Sequence, residues 1–230
     1  MNVDMLISYA PRLFDGLWIT LGITGLSVVI GLFLAIPVAL MRLSSYKILQ
    51  WPSYFFVFYF RGTPLLVQLF LVYYGSGQFR IELTELGLWG YFREAYFCAV
   101  FTLTLNTCAY TAEILRGAIQ SVPKGEVEAG RACGMSGSLL YRRIILPSAL
   151  RSAWPAYGNE VIFLMQASSL VSIITLLDLT GVARRIISET FAVYEVYLLV
   201  AAAYLVITYL LVFIFKRVES YLQRYTQSIS

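Results

Sequence analysis

Three charged residues, Arg61, Glu113 and Glu160, lie inside stretches that are otherwise strongly apolar. A charge at the centre of a bilayer costs about 2.5–3.5 kcal/mol on insertion scales, so such residues turn inward and are candidates for function. Thr102, Asn106, Tyr110 and Glu113 recur at steps of four, four and three, which draws one polar stripe along a helix. Asn159 and Gln166 are seven apart and share a face, while Glu160 lies about 100° round from Asn159. Pro155 and Gly158 precede them and are expected to open the helix and expose carbonyls. This chemistry suits a cationic amino acid, with a carboxylate for its side chain and amide or backbone groups for its α-groups. The candidate substrate contacts are Glu160, Asn159, Asn106, Tyr110, Glu113, Gln166 and Ser168. A plainer reading stands beside it. Glu113 can pair with Arg116 three residues on, Arg61 can bridge to either glutamate, and Ser168 can bond back to its own helix.

The elements that position these residues follow from composition. The chain of 230 residues is 59% hydrophobic and 13% charged, with a mean hydropathy of +0.74. A soluble domain carries about 25% charged residues. A membrane-crossing helix needs about 20 mostly apolar residues, and several windows qualify. The expected fold is therefore all-α, one polytopic transmembrane domain over residues 1–230. The net charge of +4 is too small to argue for nucleic acid. With no histidine, His-based metal sites and Ser-His or Cys-His catalysis are excluded, and no metal site is expected. Cys98 and Cys108 fall roughly 15 Å apart on one helix, too far for a disulfide, and the three thiols read as packing residues.

Five spans are predicted, near residues 16–41, 54–75, 95–117, 150–177 and 196–215, with RGTP at Arg61–Pro64 kinking or breaking the second. The opening MNVDMLISYAPRLFDG lacks a basic start, so the first span is expected to stay as a helix rather than be cleaved. Cytoplasmic loops are enriched in Lys and Arg. With the N-terminus outside, the inner segments hold Arg42, Lys47, Arg116, Lys124, Arg131, Arg142, Arg143, Arg151, Lys216, Arg217 and Arg224, and the outer ones only Arg12, Arg80, Arg93, Arg184 and Arg185. That bias places the C-terminus and the loop 124–147 in the cytoplasm.

This loop contains EAGRACGMSGSLLYRRIILP, Glu128 to Pro147, a polar insertion between apolar spans. Pro123-Lys124-Gly125 ends span three, a short helix runs to Gly134, and Ser136 is placed to cap a second helix that stops before Pro147. Isolated helices below about 12–15 residues are marginal in water, so both need a surface. They either rest on the inner ends of the spans or dock on a cytoplasmic partner in helix-in-groove fashion. In the docking case the small residues Ala129, Gly130, Ala132 and Gly134 allow close approach.

The spacing of Glu128-Ala129-Gly130, Gly134 and Ile144-x-Leu146-Pro147 resembles the EAA loop of ABC importer permeases, written E-A-A-x3-G-x9-I-x-L-P, with Gly130 in place of the usual Ala. Arg61–Gln68, Leu105–Ile114, Gly117–Ala129 and Asn159–Ser172 are similar to polar amino-acid permeases, above all the subunits for histidine, arginine, ornithine and opines. The resemblance implies the type I ABC importer transmembrane fold in a bacterial inner membrane. It implies that Glu128, Ala129, Gly130, Gly134, Leu146 and Pro147 couple the chain to a separate ATPase dimer, which binds ATP and Mg. It further implies a second permease, non-identical in histidine-type systems, and a periplasmic solute-binding protein that delivers the substrate. No cofactor is expected in this chain, and no G-x-x-x-x-G-K-[ST] phosphate loop occurs in it, so the chain itself is expected not to be an enzyme. Glutamine-type permeases carry similar acidic residues at the Glu113 and Glu160 positions, which keeps that substrate class open. A self-contained channel or secondary transporter is the rival of a different class, and the lack of a detectable inverted repeat argues against it.

Overall fold

The computed structural model describes residues 3–223, with side chains from Ser8 onward; Arg224, counted above among the inner basic residues, and Met1 and Asn2 of the opening lie outside them. All regular structure among the described residues is helical. The α-helices are α1 (Val3–Leu43), α2 (Lys47–Gly62), α3 (Leu65–Tyr73), α4 (Arg80–Glu85), α5 (Trp89–Phe92), α6 (Ala95–Gln120), α7 (Lys124–Ala132), α8 (Gly137–Leu140), α9 (Leu146–Ala167), α10 (Leu179–Thr190) and α11 (Val193–Gln223). By length and composition, α1, α6 and α11 are each able to cross a membrane. Two further stretches qualify as bent pairs: α2 with the chain from Leu65 to Glu85, bent by 106°, and Gly137–Ile174 with α10, bent by 48°.

Helix α6 is the central element and packs against α1, α2, α3 and α9. Ile23, Leu69, Leu103, Leu164, Val171 and Ile174 form the larger apolar core around it. Towards the other end Ala35, Ala39, Cys108, Ala109 and Ala112 make a core of small residues that lets α1 and α6 approach closely. Gly31 marks the tightest point, because a Cβ there would overlap Thr107 Cγ2 and come within 3.2 Å of the Thr104 carbonyl oxygen. Overpacking of this kind costs about 1–3 kcal/mol. Gly31→Val is therefore expected to lower the melting temperature of the detergent-solubilised protein by several degrees. Gly25→Val serves as the control, since nothing lies within 4 Å of a Cβ at Gly25. Equal melting of the two variants would refute the close packing.

The second span does not run straight through RGTP. Helix α2 stops at Gly62, Thr63 and Pro64 are extended, and α3 starts at Leu65. Pro64 has no N–H to give the Phe60 carbonyl one turn earlier, and in an apolar setting that oxygen must find another donor. Gln68 Nε2 donates to Phe60 O at 2.9 Å, and also to Thr63 O and Thr63 Oγ1 at 3.1 and 2.8 Å. Asn106 Nδ2 on α6 donates to Phe60 O at 3.3 Å and to Gln68 Oε1 at 3.0 Å. The bend is thus held by two buried amides.

Helix α9 shows the opposite outcome. It is continuous through Pro155 and Gly158 from Leu146 to Ala167, so the expected opening of the helix there does not occur. Gly158 instead makes room for Phe215, whose Cδ1 would lie 2.8 Å from an added Cβ, and Trp154 Nε1 donates to Phe215 O at 3.1 Å. The change of path falls later, in a 3-10 turn over Ser168–Ile174 followed by Thr175 in the left-handed region. Asp178 then caps α10, accepting from Gly181 N at 2.9 Å and Thr180 N at 3.3 Å. Cys98 and Cys108 are buried as packing residues, whereas Cys133 is exposed, because it closes a helix that stands away from the core.

Candidate coupling loop and intramembrane polar site

The polar insertion folds as a helix, turn and helix. Helix α7 follows Pro123 and ends in a Schellman arrangement: Met135 N donates to Gly130 O at 3.0 Å and Gly134 N to Arg131 O at 2.9 Å. Gly134 has φ +78° and Gly137 φ +50°, backbone that side-chain-bearing residues rarely adopt. Ser136 takes the extended N-cap position before α8 but makes no side-chain cap hydrogen bond. The second helix does not stop before Pro147. A π-turn over Tyr141–Ile145, in which Leu146 N donates to Tyr141 O, carries the chain into α9. The wider turn removes the demand for a hydrogen bond from Pro147, so the loop is joined to a core helix by continuous helical backbone.

Gly130 faces the interior of the loop. It is buried, and a Cβ there would meet Leu140 Cδ1 at 2.7 Å and Ile144 Cγ1 at 3.3 Å. The glycine therefore lets α7 lie against the loop's own second helix. Glu128, Ala129 and Gly134 stay exposed, Leu146 is 38% exposed, and Pro147 is partly buried at the start of α9. The loop thus carries a stiff interior and an open outer face.

The intramembrane residues divide into three groups. The first centres on Glu113, whose carboxylate is enclosed by guanidinium groups from three helices. Arg42 Nε on α1 donates at 2.8 Å, Arg116 donates through Nε and Nη2 at 2.9–3.0 Å, and Arg61 Nη1 on α2 lies at 3.8 Å. Arg61 also lies over the Tyr110 ring, 5.2 Å from its centre. The second group is Asn106 with Gln68, already engaged at the α2–α3 bend. Glu160 forms a third point, 9% exposed, where it meets the Thr107 hydroxyl and the attraction of Arg61.

Other candidates stand apart. Asn159 and Gln166 share an exposed face of α9, and Gln166 Nε2 reaches Thr208 Oγ1 at 3.5 Å. Ser168 is buried and donates to Met165 O at 2.6 Å, the back-bonding pattern. Arg42 and Gln68 are the residues that sequence reasoning missed. Arg42 lies 71 positions from Glu113, so no local spacing announces it. Gln68 did leave a signal, an amide one turn beyond a proline break in an apolar run.

Comparison with known proteins places this geometry in context. The chain is 50% identical over 209 residues to the nopaline transport system permease protein of Agrobacterium fabrum, covering 91% of this chain and 87% of that one. It is 49% identical over 209 residues to the histidine/lysine/arginine/ornithine transport system permease protein of Escherichia coli K12, covering 90% and 87%. Among solved structures it is similar to a chain of an amino acid ABC transporter crystallised with histidines, at a TM-score of 0.83 and 37% identity, covering 95% and 99%. A chain of an inward-facing methionine ABC transporter superposes with a TM-score of 0.76 over 94% of this chain and 99% of that one; at 20% identity it supports the fold alone. The fold is that of type I ABC importer permeases, the expected class. Residues 27–224 match the family described as binding-protein-dependent transport system inner membrane component, and the chain belongs to that family of multi-pass membrane permeases.

Proposed function

We propose that this chain is one of two permease subunits of an ATP-driven importer for basic amino acids or opines. The observation that carries the reading is the exposed outer face of the loop at Glu128, Ala129 and Gly134, joined through a π-turn to α9. The resemblance to permeases named for nopaline, octopine, histidine, lysine, arginine and ornithine supports the substrate class. The chain crosses the membrane five times with its N-terminus outside, as the excess of Lys and Arg on one side favours. A periplasmic binding protein delivers the substrate, and a separate ATPase dimer binds ATP and Mg. When the ATPases close, their grip on Glu128, Ala129, Gly134, Leu146 and Pro147 is transmitted along α9 as rigid-body movement, because α7 packs on the loop's second helix and that helix runs into α9 without a break. Gly130 supports the same step from inside the loop. The second permease is a related but non-identical chain.

The substrate meets Glu160 through its cationic side chain, with Tyr110 and the side-chain carbonyl of Asn106 on the neighbouring helix, while Glu113, both of whose oxygens are held by Arg42 and Arg116, acts only through that cluster. Asn159, Gln166 and Ser168 contribute from α9 and its 3-10 extension. Charged hydrogen bonds are worth about 1.5–3 kcal/mol, so Glu160→Gln should lower the efficiency of arginine uptake about ten- to a hundredfold. The test is reconstitution with the ATPase, the second permease and the binding protein in vesicles. ATP-dependent uptake of arginine, histidine and an opine is expected, with weak competition by glutamine. Preferred uptake of glutamine would move the substrate class, and transport by the chain alone without ATP would overturn the reading entirely.

A further inference from the structure

The three arginines around Glu113 exceed what one carboxylate neutralises. Arg116 and Arg42 take up both carboxylate oxygens at 2.8–3.0 Å, and Arg61 approaches only to 3.8 Å, beyond the usual hydrogen-bond range of about 2.7–3.2 Å. Counting Glu160, which also attracts Arg61, three positive charges still face two negative ones. Beside Glu113 a cavity of about 280 Å³ opens between α1 and α2, lined by Arg42, Tyr54, Val57, Phe58, Arg61 and Glu113. Its guanidinium groups carry donors that Glu113 does not use, since Arg42 engages the carboxylate through Nε alone.

The mouth of this cavity has the character of a lipid contact. Tyr54 is 47% and Phe58 64% exposed, and their rings stack at 6.1 Å. Trp51 and Phe55, on the same face of α2, are exposed as well. Arg42 lies at the end of α1 that the charge bias places at the cytoplasmic surface, and the cavity reaches from there along the second half of α2. Aromatic side chains gather at that depth, and basic pockets between spanning helices hold acidic headgroups there.

We propose that Arg42 and Arg61 bind the phosphate of an anionic phospholipid from the cytoplasmic leaflet, with its acyl chains along Tyr54, Phe55 and Phe58. The guanidinium fork matches phosphate oxygens, and the lipid supplies the negative charge that the cluster lacks. A soluble phosphate has the same headgroup chemistry but no chains for the aromatic face.

The assembled, delipidated permease–ATPase complex is titrated with phosphatidylglycerol or phosphatidylcholine and the bound lipid is counted by native mass spectrometry. Wild type is expected to retain phosphatidylglycerol in preference, and Arg61→Gln to lose about fivefold of that preference, the worth of one basic residue near an acidic headgroup. Tyr54→Glu, which replaces the ring 5.1 Å from the Arg42 guanidinium with a carboxylate and leaves Glu113 and Arg61 in place, is expected to reduce it as well and covers the case in which Arg61→Gln fails to assemble. Millimolar inorganic phosphate should not displace the lipid. Equal retention of the two lipids by wild type, an unchanged preference in the assembled variants, or displacement by inorganic phosphate would each overturn the proposal.

Discussion

Gly134→Val is expected to eliminate most ATP-driven uptake while the protein still inserts into the membrane in normal amounts. The reason is conformational rather than steric. Nothing lies within 4 Å of a Cβ built at Gly134, but its φ of +78° is required for the Schellman closure of α7. A β-branched residue is a strong outlier there, at a cost of order 1–3 kcal/mol. Helix α7 has nine residues and little stability of its own to offset that cost. The turn should therefore reopen, and Glu128 and Ala129 should lose their fixed position on the outer face. The spans do not depend on this turn, since the cores around α6 draw no residue from α7. Gly134→Asn is the informative companion, because Asn tolerates the left-handed region; it should keep a substantial part of the uptake. Measured in reconstituted vesicles, Gly134→Val should lose at least tenfold in uptake and should no longer stimulate hydrolysis by the partner ATPase. Full uptake by Gly134→Val would remove the loop from the coupling step.

The second large effect is expected at Glu113. Glu113→Leu leaves Arg42, 14% exposed in its side chain, and Arg116, 26% exposed, without their shared acceptor. Removing one partner of a buried ion pair costs about 3–5 kcal/mol, a large share of the stability of most domains. The expected result is a several-fold drop in monodisperse protein after extraction, with a lower melting temperature. Arg42→Gln together with Glu113→Gln should recover part of the loss, because the more deeply buried of the two guanidinium groups, Arg42, is then no longer left without its acceptor. Glu94→Leu is the contrast: its pair with Arg93 at 3.3 Å is more than 60% exposed on both sides, and such pairs are worth about 0–1 kcal/mol. If Glu113→Leu melts like Glu94→Leu, the cluster does not hold α1, α2 and α6 together.

The same residues show what could be read in advance. Apolar periodicity marked α1, α6 and α11 clearly, since a long charge-free run has few other uses in a membrane protein. The helix, turn and helix of the loop was legible because its signals are local: a proline at the start, a glycine at the C′ position, an apolar stripe on one side. Asn106 was harder. Its place on a polar stripe is correct, yet the stripe alone cannot tell a substrate contact from an amide that satisfies a carbonyl released by Pro64. Gly130 permits close approach, but a small residue does not announce which neighbour approaches.

What the sequence by itself determined is the all-helical class, the long apolar helices and the two-helix loop with its first helix ending at Gly134. These rest on hydrophobic periodicity, proline and glycine backbone limits, and charge, all of which act within a few residues. Only the tertiary structure decided that Pro155 leaves α9 continuous, that Arg42 joins Arg116 on Glu113, and that Gly130 faces Leu140 and Ile144. Each of those outcomes depends on which donor, charge or side chain a distant segment brings into reach. Phe60 O and Glu113 each take one of their donors from residues 46 and 71 positions away, and no local rule carries that distance.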